Sequence, residues 1–243
     1  MPIYFISDLH LSQYRPAISE LFFHFLQHLR NVEKLFILGD LFDAWIGDDA
    51  VPPEMLAVIS QIKSLTQKGI DVYFMRGNRD FLIGEQFAAL TACHLLKDLT
   101  VIDLYGIKTL LCHGDILCSD DVEYQQFRSM VRNPQWQIQF LGLPVDKRLE
   151  MARQMRTKSS VMTAMKPEEI MDVNQQTVAD HFNKYQVQRL IHGHTHRTGI
   201  HKFSLQQHHV ERIVLGDWRD NFGSVLRVDE NDYTLEKYTL ATP

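Results

Sequence analysis

The sequence predicts an α/β fold in which parallel strands alternate with helices. Short apolar runs recur along the chain, and each is followed closely by Asp, His or Asn. The first three runs are separated by stretches with the apolar spacing of amphipathic helices. The carboxyl ends of neighbouring parallel strands open into one crevice, so side chains far apart in the sequence can meet there.

Five apolar runs share this layout of a buried strand followed by candidate metal ligands. The runs are 3–6 before Asp8 and His10, 34–38 before Asp40, 72–75 before Asn78, 108–112 before His113, and 189–191 before His194 and His196. A single run of this kind is most simply a core strand followed by a polar turn. Five runs with the same ending indicate that the polar residues act together.

Composition indicates an ordinary globular protein, and 243 residues suit one large α/β domain spanning 1–243. A hydrophobic fraction of 45% and a charged fraction of 23% exclude disordered and fibrous classes. The cysteines Cys93, Cys112 and Cys118 lack the paired spacing of a metal site, which favours a reducing cytoplasm. No apolar run reaches the ~20 residues of a membrane span, and we expect no cleaved leader.

Three helices and a hairpin are predicted in the first half of the chain. Helical spacing of apolar residues predicts a helix over 16–30, a second from Pro53 to Lys68, and a third that packs Phe81, Phe87 and Leu90. Two strands, 99–104 and 107–112, are joined by Tyr105-Gly106. This pattern indicates an antiparallel hairpin.

Residues 121–166 are predicted to form a helical insertion, with breaks at Asn133-Pro134 and Leu143-Pro144. Residues 118–166 contain eight basic and five acidic residues, although the net charge of the whole chain is −5. This local excess suggests an anionic partner, such as a phosphate or a lipid surface, but also suits a solvated helix. The methionines of the insertion suit either a surface that repacks around an apolar ligand or a small hydrophobic core.

The last part of the chain is predicted to contain one helix and several strands. The helix begins at Pro167 and presents Ile170, Val178 and Phe182 on one face. Four short strands follow the histidine cluster up to Leu240. They are expected to give a second sheet in the carboxyl-terminal half.

Seven residues are candidate metal ligands: Asp8, His10, Asp40, Asn78, His113, His194 and His196. Mixed carboxylate, amide and imidazole ligands suit Mn, Fe or Zn better than Ca or a thiolate site. Seven ligands are too many for one tetrahedral ion and suit two ions that share a carboxylate. Such a pair can clamp both oxygens of an in-line displacement at phosphorus, which predicts a phosphoester or phosphoanhydride hydrolase.

The motifs Asp-x-His, Gly-Asp-x-x-Asp, Gly-Asn-x-Asp, His-Gly-Asp and Gly-His-Thr-His, in this order, resemble the calcineurin-like metallophosphoesterases. The resemblance extends to about His196 and implies two stacked sheets flanked by helices, a four-layer αββα sandwich. It implies one ion held by Asp8, His10, Asp40 and His196, and another held by Asp40, Asn78, His113 and His194. Asp43, Asp80 and Asp115 would support turns or bound histidines.

One departure from the family is informative, because Arg79 stands where most members have a histidine assigned to the leaving alkoxide. Arginine stays charged and cannot donate a proton, but its guanidinium can bind phosphate with two hydrogen bonds. A phosphate leaving group, with a last pKa of ~6, needs little protonation at neutral pH. Arg79 therefore favours a pyrophosphate substrate, and the implied catalytic residues are Asp40, Asn78, Arg79 and His113.

Further features are similar to a branch of the family that cleaves a UDP-linked diacylated glucosamine in lipid A synthesis. They are Gly-Asn-Arg-Asp, Ser119-Asp120-Asp121, the basic insertion and Leu215-Gly216-Asp217-Trp218. The resemblance runs the full length and implies two Mn ions, release of UMP, and a peripheral position on the cytoplasmic face of the inner membrane. The implied substrate contacts are Asn78, Arg79, Asp121, Ser159, Thr163, Lys166 and His194.

Two alternatives remain at this point. A soluble phosphoesterase acting on a nucleotide or phosphoprotein would have no need of the methionine-rich insertion. A non-catalytic scaffold, like a retromer subunit of this fold, would be expected to have lost ligands, and here all seven positions are filled. The acidic net charge disfavours nucleic acid, and no obligate protein partner is implied.

Overall fold

The computed structural model describes residues 1–166, 170–205 and 208–240, with backbone only for 158–165. In order, its elements are β1 (Ile3–Ile6), α1 (Pro16–His28), β2 (Lys34–Leu38), α2 (Leu56–Gln67), β3 (Asp71–Met75), α3 (Glu85–Thr91), β4 (His94–Leu96), β5 (Leu99–Leu104), β6 (Ile107–Cys112), α4 (Val122–Val131), α5 (Pro134–Leu141), α6 (Val145–Met165), α7 (Gln175–Tyr185), β7 (Arg189–His192), β8 (Gly199–Leu205), β9 (His208–Val214), β10 (Gly223–Val228) and β11 (Tyr233–Tyr238).

The strands form two sheets that pack face to face. The first has the order β11-β10-β1-β2-β3-β4, with β1 to β4 parallel, and the second has the order β5-β6-β7-β9-β8, with β6, β7 and β9 parallel. One apolar cluster lies between them and includes Phe5 and Phe36 from the first sheet and Ile191 and Ile213 from the second. The stacked rings of Phe5 and Phe36 lie 4.8 Å apart across β1 and β2.

Helices cover the outer face of each sheet. Helix α1 begins with Pro16 in its first turn and buries Ile18, Leu21, Phe22, Phe25 and Leu26 at helical spacing. These side chains join a cluster with residues of α2 and α3 on the first sheet, while Val178 and Phe182 of α7 pack against the second. The predicted two-sheet α/β sandwich flanked by helices is therefore confirmed.

The predicted hairpin and the breaks of the insertion match the structure. Strands β5 and β6 pair antiparallel, and both Tyr105 and Gly106 have positive φ angles, as a two-residue turn requires. Helices α4, α5 and α6 are separated at the two predicted X-Pro pairs, and the Asn133 side chain caps α5. The treatment of 121–166 as an insertion in a single domain 1–243 stays a prediction.

Among helices of the described residues, none combines the length and apolarity needed to cross a bilayer.

Two expectations about the last part of the chain are wrong. Helix α7 begins at Gln175 rather than at Pro167, because the Asn174 side chain accepts a hydrogen bond from the backbone N–H of Thr177 and so caps the helix. Residues 167–169 lie outside the described part of the chain. Strands β10 and β11 extend the first sheet rather than the second, since β10 pairs antiparallel with β1.

We expect Gly223→Ala to lower the free energy of unfolding by about 2 kcal/mol, because overpacking a filled core forces its neighbours to move. A Cβ at this position would lie 2.5 Å from the indole ring of Trp218, which is fully buried against α1. Urea denaturation measures the loss.

Gly142→Ala is the matched control, because a Cβ there meets only backbone oxygens at 3.3 and 3.5 Å. This variant should change stability by less than about 0.5 kcal/mol. Equal stability of the two variants would contradict the tight contact between Gly223 and Trp218.

Candidate metal centre

The carboxyl ends of five strands surround one crevice between the sheets. Loops after β1, β2 and β3 enter it from the first sheet, and loops after β6 and β7 enter it from the second. The crevice contains all seven predicted ligands, which the structure brings together: Asp8, His10, Asp40, Asn78, His113, His194 and His196.

One group of ligand atoms comes from Asp8, His10 and His196, whose candidate atoms all lie within 4.8 Å of one another. His196 Nε2 lies 3.3 Å from Asp8 Oδ1 and 3.4 Å from His10 Nε2. Two imidazoles and a carboxylate are thus arranged around a common point, as in a transition-metal site.

A second group of candidate ligand atoms shares Asp8 with the first. Asp8, Asp40 and His113 also have candidate atoms within 4.8 Å of one another. Asn78 Oδ1 lies 2.9 Å from His113 Nε2 and 2.8 Å from His194 Nδ1, so the amide and the second imidazole face the same space.

Asp40 faces both groups through its two carboxylate oxygens. Its Oδ1 lies 3.6 Å from His113 Nε2, while its Oδ2 lies 3.8 Å from His10 Nδ1. Asp8 belongs to both groups as well. Either carboxylate is therefore placed to lie between two cations.

Several candidate ligands have a left-handed backbone conformation that residues other than glycine rarely adopt. The φ angles of five predicted ligands are positive, between 50° and 68°: Asp8, His10, Asp40, His194 and His196. Each such residue costs on the order of 1–3 kcal/mol and persists only where its surroundings fix it. Backbone bonds from Asp8 N to Gly39 O and from His10 N to Asp40 O join the first two loops.

Asp80 holds the loop that carries Asp40 through hydrogen bonds to its backbone. Its buried carboxylate accepts hydrogen bonds from the backbone N–H groups of Gly77 (2.7 Å), Leu41 (2.8 Å), Asp40 (3.3 Å) and Phe42 (3.4 Å). These bonds tie the loop after β3 to the loop after β2. Asp80 thus supports a turn, as the sequence suggests, because all four of these hydrogen bonds come from backbone groups.

The ionisation of the carboxylates and His113 shows strong mutual dependence. Burial alone would raise the pKa of Asp8, but the nearby His196 imidazole and the charge of His113 hold it below its usual range. Burial raises the pKa of Asp40 to about 6 against the opposing charge of His113. Burial opposes protonation of His113, yet Asp40 and Asp8 raise its pKa to about 9.

The imidazoles of His10 and His194 are neutral at physiological pH. Burial, reinforced in His194 by the charge of His113, lowers the pKa of each to about 4. Neutral imidazole is the form that binds metal ions, because its free nitrogen carries a lone pair.

The donor atoms fit a metal. Asp8 Oδ1 and His10 Nδ1 are buried and lack a hydrogen-bond partner in the described chain. His113 Nδ1 lies 2.8 Å from Leu38 O, a carbonyl that can only accept, so Nδ1 carries a proton. Its Nε2 then faces acceptor oxygens of Asn78 and Asp40, a contact that requires either a second proton or a cation.

The predicted substrate contacts have different surroundings. Arg79 donates its backbone N–H to Asp40 Oδ1 (2.8 Å) and its side chain lines the adjacent cavity. Lys166 and Asp121 form an ion pair of 2.6 Å. The side chains of Ser159 and Thr163 lie outside the described residues.

A cavity of about 320 Å³ opens beside the candidate ligands and is bounded by core loops and by the insertion. Its lining is mostly apolar and aromatic, and it includes the candidate ligand Asn78 and its neighbour Arg79. The principal apolar residues are Trp45, Phe81, Phe127, Trp136, Phe140 and Met155.

Sequence patterns missed the contacts that attach the insertion to the site. The Tyr124 hydroxyl and Arg128 Nε donate to Asp115 Oδ2 at 2.9 and 2.8 Å, and the Tyr124 ring lies 5.9 Å from that of His194. Arg156 of α6 pairs with Asp43. These partners are up to 113 residues apart, and no local pattern marks them.

The calcineurin-like phosphoesterase family model matches residues 1–198, and the chain belongs to that family. It is 50% identical over 230 residues to UDP-2,3-diacylglucosamine hydrolase of Actinobacillus succinogenes, covering 94% of this chain and 96% of the relative. It is 46% identical over 242 residues to the Neisseria meningitidis protein of the same name, covering 98% and 99%. A solved archaeal phosphodiesterase shares the fold, with a TM-score of 0.50, 15% identity and coverage of 98% and 99%.

We expect Asp80→Ala to lower the free energy of unfolding by about 3 kcal/mol, because it leaves several backbone N–H groups buried without an acceptor. Urea denaturation of metal-free protein measures this loss. The exposed Asp71→Ala variant is the control and should unfold like the wild type. An equally stable Asp80→Ala protein would show that other groups hold the Asp40 loop.

Proposed function

We propose that this chain hydrolyses the pyrophosphate bond of UDP-2,3-diacylglucosamine to UMP and 2,3-diacylglucosamine 1-phosphate, a step of lipid A biosynthesis. The principal support is that a metal-ligand cluster and an apolar cavity meet at Asn78 and Arg79. A ligand with a diphosphate and acyl chains can contact both at once. Relatives of that name, 46% and 50% identical over nearly the whole chain, support the same substrate.

The proposal includes two divalent cations, Mn²⁺ in the working enzyme. Asp8, His10, Asp40 and His196 would hold one ion, and Asp40, Asn78, His113 and His194 the other. When bound, such a pair activates water and offsets charge on phosphoryl oxygens. The mixed oxygen and nitrogen donor set supports Mn, Fe or Zn over Ca.

Arg79 supplies fixed positive charge next to the metal ligands. Its guanidinium stays protonated at every relevant pH, so it can hold a phosphate oxygen and stabilise charge that develops in the transition state. The departing sugar phosphate is a good leaving group without a proton, since its last pKa is ~6. Arginine therefore suits a pyrophosphate substrate at this position.

The cavity gives the acyl chains a place away from water. Aromatic and methionine side chains from the core loops and the insertion line it, and burial of each methylene contributes about 0.8 kcal/mol. Lys166 and Asp121, with Ser159, Thr163 and His194, are proposed to contact the rest of the substrate. A nucleotide or phosphoprotein substrate would leave this apolar lining unused.

The surface of the insertion supports a position at the inner membrane. Ile138 is 72% exposed and Val122 is 60% exposed, and basic residues exceed acidic ones over 118–166. Apolar side chains can enter the headgroup region while lysine and arginine attract anionic lipids. We therefore propose peripheral contact between the insertion and the cytoplasmic face of that membrane.

We expect the purified protein with Mn²⁺ to release UMP from UDP-2,3-diacylglucosamine faster than it cleaves a generic aryl phosphodiester at equal concentration. Asp40→Asn should slow UMP release by more than about 100-fold, because the amide cannot supply a second anionic oxygen between the ligand groups. Asp71→Asn, a change in an exposed carboxylate far from the ligands, should retain full activity. Faster turnover of the aryl compound would reject the lipid substrate while leaving the phosphoesterase class intact.

We expect two Mn²⁺ ions to bind per chain after removal of metal by a chelator, and isothermal titration calorimetry counts them. His10→Ala should leave one tight ion, since His10 belongs to only one of the ligand groups. His94→Ala, which removes an exposed histidine on β4, should still bind two. A wild-type protein that binds a single ion would contradict the dinuclear proposal.

A further inference from the structure

A buried arginine lies behind the loop that carries two of the candidate ligands. Arg212, on β9, is 5% exposed, and its Nη1 lies 3.1 Å from Nε2 of His192, the last residue of β7. Its Nε has no hydrogen-bond partner, and no carboxylate lies within ion-pair distance of it among residues 1–166, 170–205 and 208–240. Within the described part of the chain, the main counter-charge is the more distant carboxylate of Asp172, and a buried cation without a close carboxylate destabilises a fold.

The direction of the hydrogen bonds around His192 follows from the chemistry of arginine. A guanidinium can only donate, so His192 Nε2 accepts and the proton of the neutral ring lies on Nδ1. That nitrogen lies 2.8 Å from the carbonyl oxygen of Gly193, which accepts. Donation therefore runs from Arg212 through His192 to Gly193.

Gly193 is held from several sides at once. Its N–H donates to His113 O at 2.7 Å, and its carbonyl also accepts from Thr195 N at 2.8 Å. A Cβ on Gly193 would lie 2.2 Å from both Ser7 Oγ and Asp8 Oδ2, so the backbone fills a narrow space with little room to shift.

The restraint acts on a strained part of the loop. His194 and His196 follow directly and have φ angles of 68° and 56°. His194 also donates its backbone N–H to Asp8 Oδ2 at 2.9 Å, which fixes where its imidazole meets Asn78. The bond from His192 to the Gly193 carbonyl thus holds the turn from which both candidate ligands project.

We propose that Arg212 is a positioning residue for the metal centre and acts through the His192 ring on the Gly193–His196 turn. The inference rests on the proposed function, in which His194 and His196 bind metal. Residues behind metal ligands commonly alter metal affinity by 10-fold to 100-fold when replaced, although they do not contact the ion. Arg212 therefore contributes to metal affinity at a cost in stability.

The proposed role predicts that removal of Arg212 lowers Mn²⁺ affinity without lowering the stability of the metal-free protein. In Arg212→Met, the metal-free protein should unfold in urea at the wild-type midpoint or above it, because a buried charge that has no close carboxylate in the described part of the chain is gone. Its Mn²⁺ affinity, measured by competition with a fluorescent chelator, should fall about 10-fold or more. Arg212→Lys keeps a charged donor and should recover most of the affinity.

Arg189→Met is the matched control on the neighbouring strand. Arg189 is also buried, but its Nε lies 2.5 Å from Glu211 Oε1, so its removal leaves an unpaired carboxylate. This variant should lose stability and keep its Mn²⁺ affinity. The contrast separates positioning of the ligand loop from general support of the sheet.

A double-mutant cycle tests the route through the imidazole. His192→Phe keeps a ring of similar size without either hydrogen bond, and adding Arg212→Met to it should weaken Mn²⁺ binding no further. Additive losses would overturn the proposed relay. Unchanged affinity in Arg212→Met, or a loss of stability equal to that of Arg189→Met, would overturn the positioning role. Failure of the wild type to bind Mn²⁺ would instead overturn the proposed function.

Discussion

The structure depends on holding two carboxylates, Asp8 and Asp40, almost fully buried in the same crevice. Two like charges in a poorly solvated space repel each other, and the raised pKa of Asp40 reflects burial together with its proximity to Asp8. His113, whose pKa these two carboxylates raise to about 9, partly balances them. The crevice is therefore suited to binding positive charge between the carboxylates, and the positive φ angles of its loops show that the backbone bears strain to keep this arrangement.

The packing of the two sheets determines where these charges meet. Loops after β1, β2 and β3 come from one sheet and loops after β6 and β7 from the other, so the apolar layer between the sheets sets the distance between ligands that come from different sheets. That layer is close-packed and contains the stacked rings of Phe5 and Phe36 directly below the Asp8 and Asp40 loops. A rigid interior thus keeps ligands from distant parts of the sequence at fixed separations.

The sequence predicted which side chains meet in the crevice because each candidate ligand follows an apolar run and has a recognisable donor atom. The hairpin turn and the breaks at Asn133-Pro134 and Leu143-Pro144 were predictable for the same reason, since local chemistry determines them. The placement of β10 beside β1 was not, because alternation of apolar residues does not say which strand is the neighbour. Arg212 was missed likewise: an arginine on a strand looks like a surface residue until its partner His192 is known.

The insertion is attached to the core at positions directly beside the candidate ligands. Arg128 donates to the buried carboxylate of Asp115 at 2.8 Å, two residues after His113, and Arg132 donates to the carbonyl of Gly77 at 2.9 Å, next to Asn78. Charge-assisted bonds to groups in a buried setting are strong and directional. Because α4 is fixed through these two points, a displacement of α4 that broke them would remove support from the His113 and Asn78 loops. The cavity that we propose for the acyl chains and the cluster that we propose for the cations therefore share one set of supports.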